Sequence, residues 1–221
     1  ALYAEHLRDI VLAAQEYGVP VLLTTVASNS RDHLDNGTPG EPSKEEVSAI
    51  SHLAAMADKV PASTLQTMSE EKLPLINTEA GFHKVGTMLL QAGLIDQAKN
   101  AFELKELAAL RPMTSNRNLR STVQSIGKQY GVPVCDLADI LNASSPDGIA
   151  GQGLFIDHCH PNAEGHQILG EALANCIATE NLLRFDEITL NNAPPEKDIF
   201  RIDHYSGHRH IPGLAKPTSP F

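Results

Sequence analysis

The sequence predicts an α/β fold, an open and mostly parallel sheet flanked by helices and interrupted by an all-helical insertion. Three observations lead there. "QEYGVPVLL" at 15–23 and "KQYGVPVCDL" at 128–137 each carry an amphipathic run through a glycine into an apolar, β-rich run, the alternation expected of helices feeding buried parallel strands. Between these junctions, from about residue 44 to 110, no strand-like run stands out. Finally, 42% hydrophobic and 20% charged residues in a chain of 221 are those of a globular domain that buries a real core.

Taken in order, "ALYAEHLRDIVLAAQEYG" puts Tyr3, Leu7, Ile10, Val11 and Ala14 on one helical face. Gly18 suits a left-handed C-cap, and "VPVLLTTVA" follows as the first strand. The chain opens without Met and almost at once inside this helix, so it is expected to be the C-terminal piece of a longer polypeptide. "NGTPGEP" at 36–42 is loop, and Ser43 with Glu46 has the spacing of a capping box that starts a helix near Lys44. Helices are expected at roughly 44–59, 63–71, 77–91 and 94–109. In the last two, Phe82, Val85, Gly86 and Leu89, then Gly93, Asp96, Ala98 and Phe102, resemble one tetratricopeptide helix pair. One unit is fewer than a stable array needs. It is expected to pack on its neighbours as a hairpin, and the insertion is the part of the chain that would bind a protein partner.

After the second strand come a short helix, a Pro-Asp-Gly turn and an extended segment. Pro161 suits the first position of a final helix whose stripe is Ile168, Leu169, Ala172, Leu173, Cys176 and Ile177. The expected organisation is 1–42 and 112–180 as the two parts of the α/β domain, 43–111 as the helical insertion, and 181–221 as an extended tail. His204, His208 and His210 in that tail read as a surface cluster rather than a metal site.

Seventeen Lys and Arg against 27 Asp and Glu give a net charge of -10, which repels a phosphate backbone. No nucleic-acid partner is expected. No apolar run is long enough to span a membrane, and no signal-peptide pattern opens the chain. Cys135, Cys159 and Cys176 form no CxxC pair, which argues against a disulfide framework and a zinc knuckle. Cys135 and Cys176 read as small buried residues.

Chemistry concentrates in "FIDHCHPN" at 155–162. An aspartate three residues before a histidine in a tight loop accepts a hydrogen bond from the imidazole Nδ1, which leaves Nε2 free to take a proton and stabilises the imidazolium. Asp157 and His160 thus make two thirds of a nucleophile, base and orienter set. Two other readings stay open: metal binding at Asp157, His158 and His160, for which neighbouring residues turn poorly toward one ion and no companion motif supplies further ligands, and an Asp157 that only caps the helix beside surface histidines.

"LFIDHCHPNAEGHQILGEAL" resembles the last block of SGNH (GDSL-type) hydrolases, in which Asp-x-x-His before the final helix completes a serine triad. The resemblance covers 1–35 and 112–178 and implies an SGNH/flavodoxin-like sheet, with Asp157 as orienter, His160 as base, and no cofactor or metal. That family supports its oxyanion hole with an asparagine after a central strand, and Asn29 in "VASNSRD" fits, at the strand end where such sheets place their sites. Arg31 and Asp32 would shape the rim, and Arg111, Arg117 or Arg120 would face an acidic substrate group.

The family's nucleophilic serine and its glycine lie upstream of that asparagine; this chain has no serine before Ser28, and Gly18 is its one glycine there. Ser28, Ser30, Ser144 and Ser145 do not sit in a Gly-Asp-Ser-like turn. The expected function is therefore an ester hydrolase or acyltransferase whose serine lies upstream of Ala1, acting on a small-molecule, lipid or acylated-carbohydrate ester. The alternative is a non-catalytic interaction scaffold that uses the helical insertion.

Overall fold

The computed structural model describes residues 2–34, 41–109 and 114–182. Among the described residues, eight α-helices and two short strands follow in the order α1 (Leu2–Glu16), β1 (Leu23–Thr24), α2 (Lys44–Met56), α3 (Ala62–Lys72), α4 (Glu79–Gln91), α5 (Ile95–Ala108), α6 (Arg117–Tyr130), β2 (Val134–Cys135), α7 (Leu137–Ser144) and α8 (Ala163–Thr179). A 3₁₀ turn, Leu73–Leu75, links α3 toward α4.

The expected open sheet is corrected. Among the described residues the sheet is one parallel pair, with Leu23 opposite Val134 and Thr24 opposite Cys135. The junctions place both strands as expected, but each forms only two residues of ladder. Pro20 and Pro133 precede them and bring no amide hydrogen to a ladder. Val19 and Val26, at the ends of the first run, are 55% and 58% exposed rather than buried. The remaining extended segment folds back on itself through an antiparallel bridge between Phe155 and Pro161, so it adds no third strand.

The helices follow their sequence signals more closely. Ser43 caps α2 by accepting from the Glu46 amide, but Glu46 does not reach back to close the box. Its carboxylate instead accepts from the Thr78 amide and hydroxyl at the start of α4. Gly131 closes α6 at φ 65°, and Asp147 and Gly148 take positive φ at the expected turn. Pro161 lies outside α8, whose cap is Asn162.

Three apolar clusters hold the described chain. α1 and α6 meet around Val11, Leu23, Val123, Ile126 and Val132, whereas Tyr3 and Ile10 of the expected α1 face are exposed. The insertion has its own core, centred on Leu53, Leu65, Val85, Leu89 and Phe102. There α4 and α5 form a close hairpin: a Cβ on Gly86 would lie 2.9 Å from the Phe102 ring. The third cluster, Leu141, Ala150, Leu154 and Phe155 with Ile168 and Leu169 beside it, seats α8. Of α8 itself only Gly165 is buried, and its expected stripe is half-covered.

Cys135 and Cys176 are joined in a disulfide across 41 residues of sequence, contrary to the expectation of two free buried thiols. The two cysteines meet because β2 runs beside α8, which no local spacing reveals. An open groove next to the bridge is lined by Leu22, Val134, Ile140, Ile168 and Ala172. No helix is long and apolar enough to cross a membrane among the described residues. The tail histidines His204, His208 and His210 lie outside the described residues, as does Arg111.

Candidate active site at the Asp157–His160 loop

The loop before α8 is pinned at both ends. Ile156 donates its amide to the His160 carbonyl at 2.8 Å and Asn162 donates to Leu154 at 2.9 Å. Asn162 also caps α8 through the Gly165 amide at 2.9 Å and donates its own amide to Gly153 at 2.7 Å. Gly165 is required here, because a Cβ would meet the Leu154 carbonyl oxygen at 2.4 Å.

Within this frame Asp157 serves the loop and the imidazole together. Its Oδ1 accepts from the Cys159 and His160 amides at 2.9 and 2.8 Å, and its Oδ2 lies 2.8 Å from His160 Nδ1. Those two amides, joined by the imidazole, hold the Asp157 carboxyl well below the usual carboxylate range. Asp157 therefore closes the loop rather than capping α8. An ionised carboxylate on Nδ1 selects the tautomer that carries hydrogen there and leaves Nε2 as the acceptor. The His160 side chain is 71% exposed, so Nε2 is open to a reacting group.

Asn29 arrives from the end of β1. Its backbone amide donates to the His158 carbonyl at 2.9 Å and its side-chain amide to the Asp157 carbonyl at 3.2 Å. Its Oδ1 accepts from the Asp32 amide at 2.9 Å. Two stretches about 130 residues apart are thus joined at the expected positions. Asn29 is 2% exposed, and one of its two side-chain hydrogens holds the loop.

Arg31 and Asp32 pack on Gly151, where a Cβ would come within 2.7 Å of both side chains. Burial pushes the Asp32 carboxyl up, but the Arg31 guanidinium and the Gln152 amide outweigh it, and the net shift is downward. Arg117 and Arg120 are engaged with Glu103, and Arg120 also with Glu106. Ion pairs therefore account for both arginines.

The metal reading has a geometric counterpart, since ligand atoms of Asp157, Cys159 and His160 lie within 4.8 Å of one another. The same Nδ1 already faces the Asp157 carboxylate at 2.8 Å. The ring of His158 instead stacks near His33, with centroids 5.0 Å apart.

The sequence pointed to no role for His33, Lys105 or Glu106. Lys105 donates to the Ser30 and His33 carbonyls, both at 2.6 Å, and Glu106 accepts from the Ser30 hydroxyl at 2.5 Å. The available signal was periodicity: Lys105 continues the stripe of Ala98, Ala101 and Phe102, so a charge falls on the buried face of α5.

Of the serines considered as nucleophile, Ser144 and Ser145 donate to carbonyls of their own helix and Ser30 to Glu106. Ser28 is 4% exposed, its hydroxyl buried without a hydrogen-bond partner. Comparison with protein-family models, with curated proteins and with solved structures gives no match.

Proposed function

We propose that the chain supplies the base and its orienter for a serine ester hydrolase, or an acyltransferase, of the SGNH (GDSL) type. The observation that carries this reading is the Asp157–His160 pair, with Nδ1 held at 2.8 Å by the carboxylate and the ring exposed. His160 Nε2 takes the proton of a serine hydroxyl as that oxygen attacks the ester carbonyl. The resulting imidazolium then returns the proton to the departing alcohol, leaving an acyl-serine. Asp157 holds the ring and stabilises its charged form. Asn29 sits against the loop and is the residue to which the resemblance assigns the oxyanion donor.

The nucleophile in this reading is a serine upstream of Ala1, because each of the four serines considered is buried or engaged elsewhere. The substrate class is an ester of a small alcohol, a lipid or an acetylated sugar.

The test uses the natural polypeptide with p-nitrophenyl acetate and a serine-directed fluorophosphonate. Both turnover and labelling are expected, with turnover abolished in His160→Ala and lowered by up to about 10⁴-fold in Asp157→Asn through tautomer error. Wild-type turnover in His160→Ala would end the proposal.

A further inference from the structure

We propose that the helical insertion is a buttress of the candidate site, with Lys105 and Glu106 of α5 as positioning residues for the loop at 29–33. The inference deepens the hydrolase reading and rests on it for the meaning of the site, but not for its test.

Both residues are 2% exposed. A charge so placed is costly unless it is paired and hydrogen-bonded, so what it bonds to shows what it holds in place. The Lys105 ammonium bridges the carbonyls of Ser30 and His33, clamping the turn from both sides. Next along α5, Glu106 takes the Ser30 hydroxyl on Oε1, while its Oε2 lies 3.6 Å from Arg120 of α6. The gripped turn is closed internally by Asn29 Oδ1 on the Asp32 amide. On its far side it is fastened to the segment before the active loop, by the Arg31 amide to Ala150 at 3.1 Å and the Gln152 amide to Asp32 at 2.7 Å.

Asn29 then passes the placement on, through its backbone and side-chain amides to the carbonyls of His158 and Asp157. Hydrogen bonds, joined by the backbone of the turn, thus lead from the insertion to the main-chain carbonyls of Asp157 and His158, in the loop whose Asp157 carboxylate faces His160. The α5 face bearing Ala98, Ala101, Phe102 and Lys105 is buried and so is not open to a peptide. It is the means by which the insertion acts on the site.

Amide hydrogen exchange, followed by NMR on the whole chain, tests this without any turnover. Lys105→Met keeps the stem and removes the ammonium. It is expected to lower protection at the Asn29 and Arg31 amides by about tenfold or more while the α6 amides at Val123 and Ile126 keep wild-type values, the pattern of a local opening. Unchanged protection at Asn29 and Arg31, or an equal loss across α6, would overturn the proposal. Ser30→Ala removes only the hydroxyl on Glu106 and is expected to show the same local pattern more weakly. Should Lys105→Met not fold, Ser30→Ala decides by the same two outcomes. The hydrolase reading fails separately, in the turnover of His160→Ala.

Discussion

Asp157 accepts two backbone amides and an imidazole nitrogen with one carboxylate, and its titration should show that. Its folded pKa lies well below that of an ordinary aspartate, because the Cys159 and His160 amides and the imidazole favour the ionised form. The stabilisation from those bonds is therefore complete above the unfolded value and disappears as pH falls through the lower folded value. The loop is expected to hold its geometry on acidification past the point where an ordinary carboxylate protonates. The carboxyl ¹³C shift of Asp157 followed against pH measures this; a midpoint at or above that of an ordinary aspartate would show that the two amides are not bonded to it in solution. At this scale the arrangement of the candidate residues was largely legible. Asp157 and His160 lie three apart, so loop geometry alone brings them together, and Asn29 follows once the resemblance is accepted. Lys105 was legible only as a charge out of place on an apolar stripe, and its partners, the carbonyls of Ser30 and His33, are backbone atoms that carry no side-chain signal.

α8 illustrates how an element can be read correctly yet placed too deeply. Its stripe predicts a buried helix, but among its residues only Gly165 is buried, and the disulfide ties the half-covered remainder to β2. Two predictions follow the two attachments. Gly165→Ala puts a methyl group 2.4 Å from the Leu154 carbonyl and 3.0 Å from Pro161 Cβ, both set by backbone, so the start of α8 must shift. We expect a loss of about 1–3 kcal/mol, as for overpacking, read by urea denaturation, with turnover of the natural polypeptide falling because His160 moves with the helix. Cys176→Ser opens a covalent link across 41 residues, for which the chain-entropy account gives about 4 kcal/mol. A denaturation midpoint equal to wild type would mean that packing on Leu141 and Leu154 suffices to hold α8. Neither attachment was legible, since one is a contact with a carbonyl oxygen and the other a pairing set by tertiary packing.

For the molecule as a whole, the two repeated junctions located both strands and their parallel sense, while the adjacency of β1 and β2 is a finding of the structure. They overstated the sheet, because apolar runs say that a segment is extended and not how many neighbours it finds. Residues 1–183 form one compact unit, although the insertion has an apolar core of its own. The grip of Lys105 and Glu106 on the turn after β1 implies that the insertion and the strand pair unfold together. Leu89, fully buried between α4 and α5, offers the test. Leu89→Ala should cost about 2–5 kcal/mol, as for a large-to-small change in a core. If the unit is cooperative, that loss appears equally in helical circular dichroism and in the exchange of the Thr25 amide, which donates to Cys135 in the strand pair at 3.2 Å. A helical transition that moves to lower urea while Thr25 keeps its wild-type protection would show the insertion melting alone, and its buried charges would then hold the turn without sharing its stability.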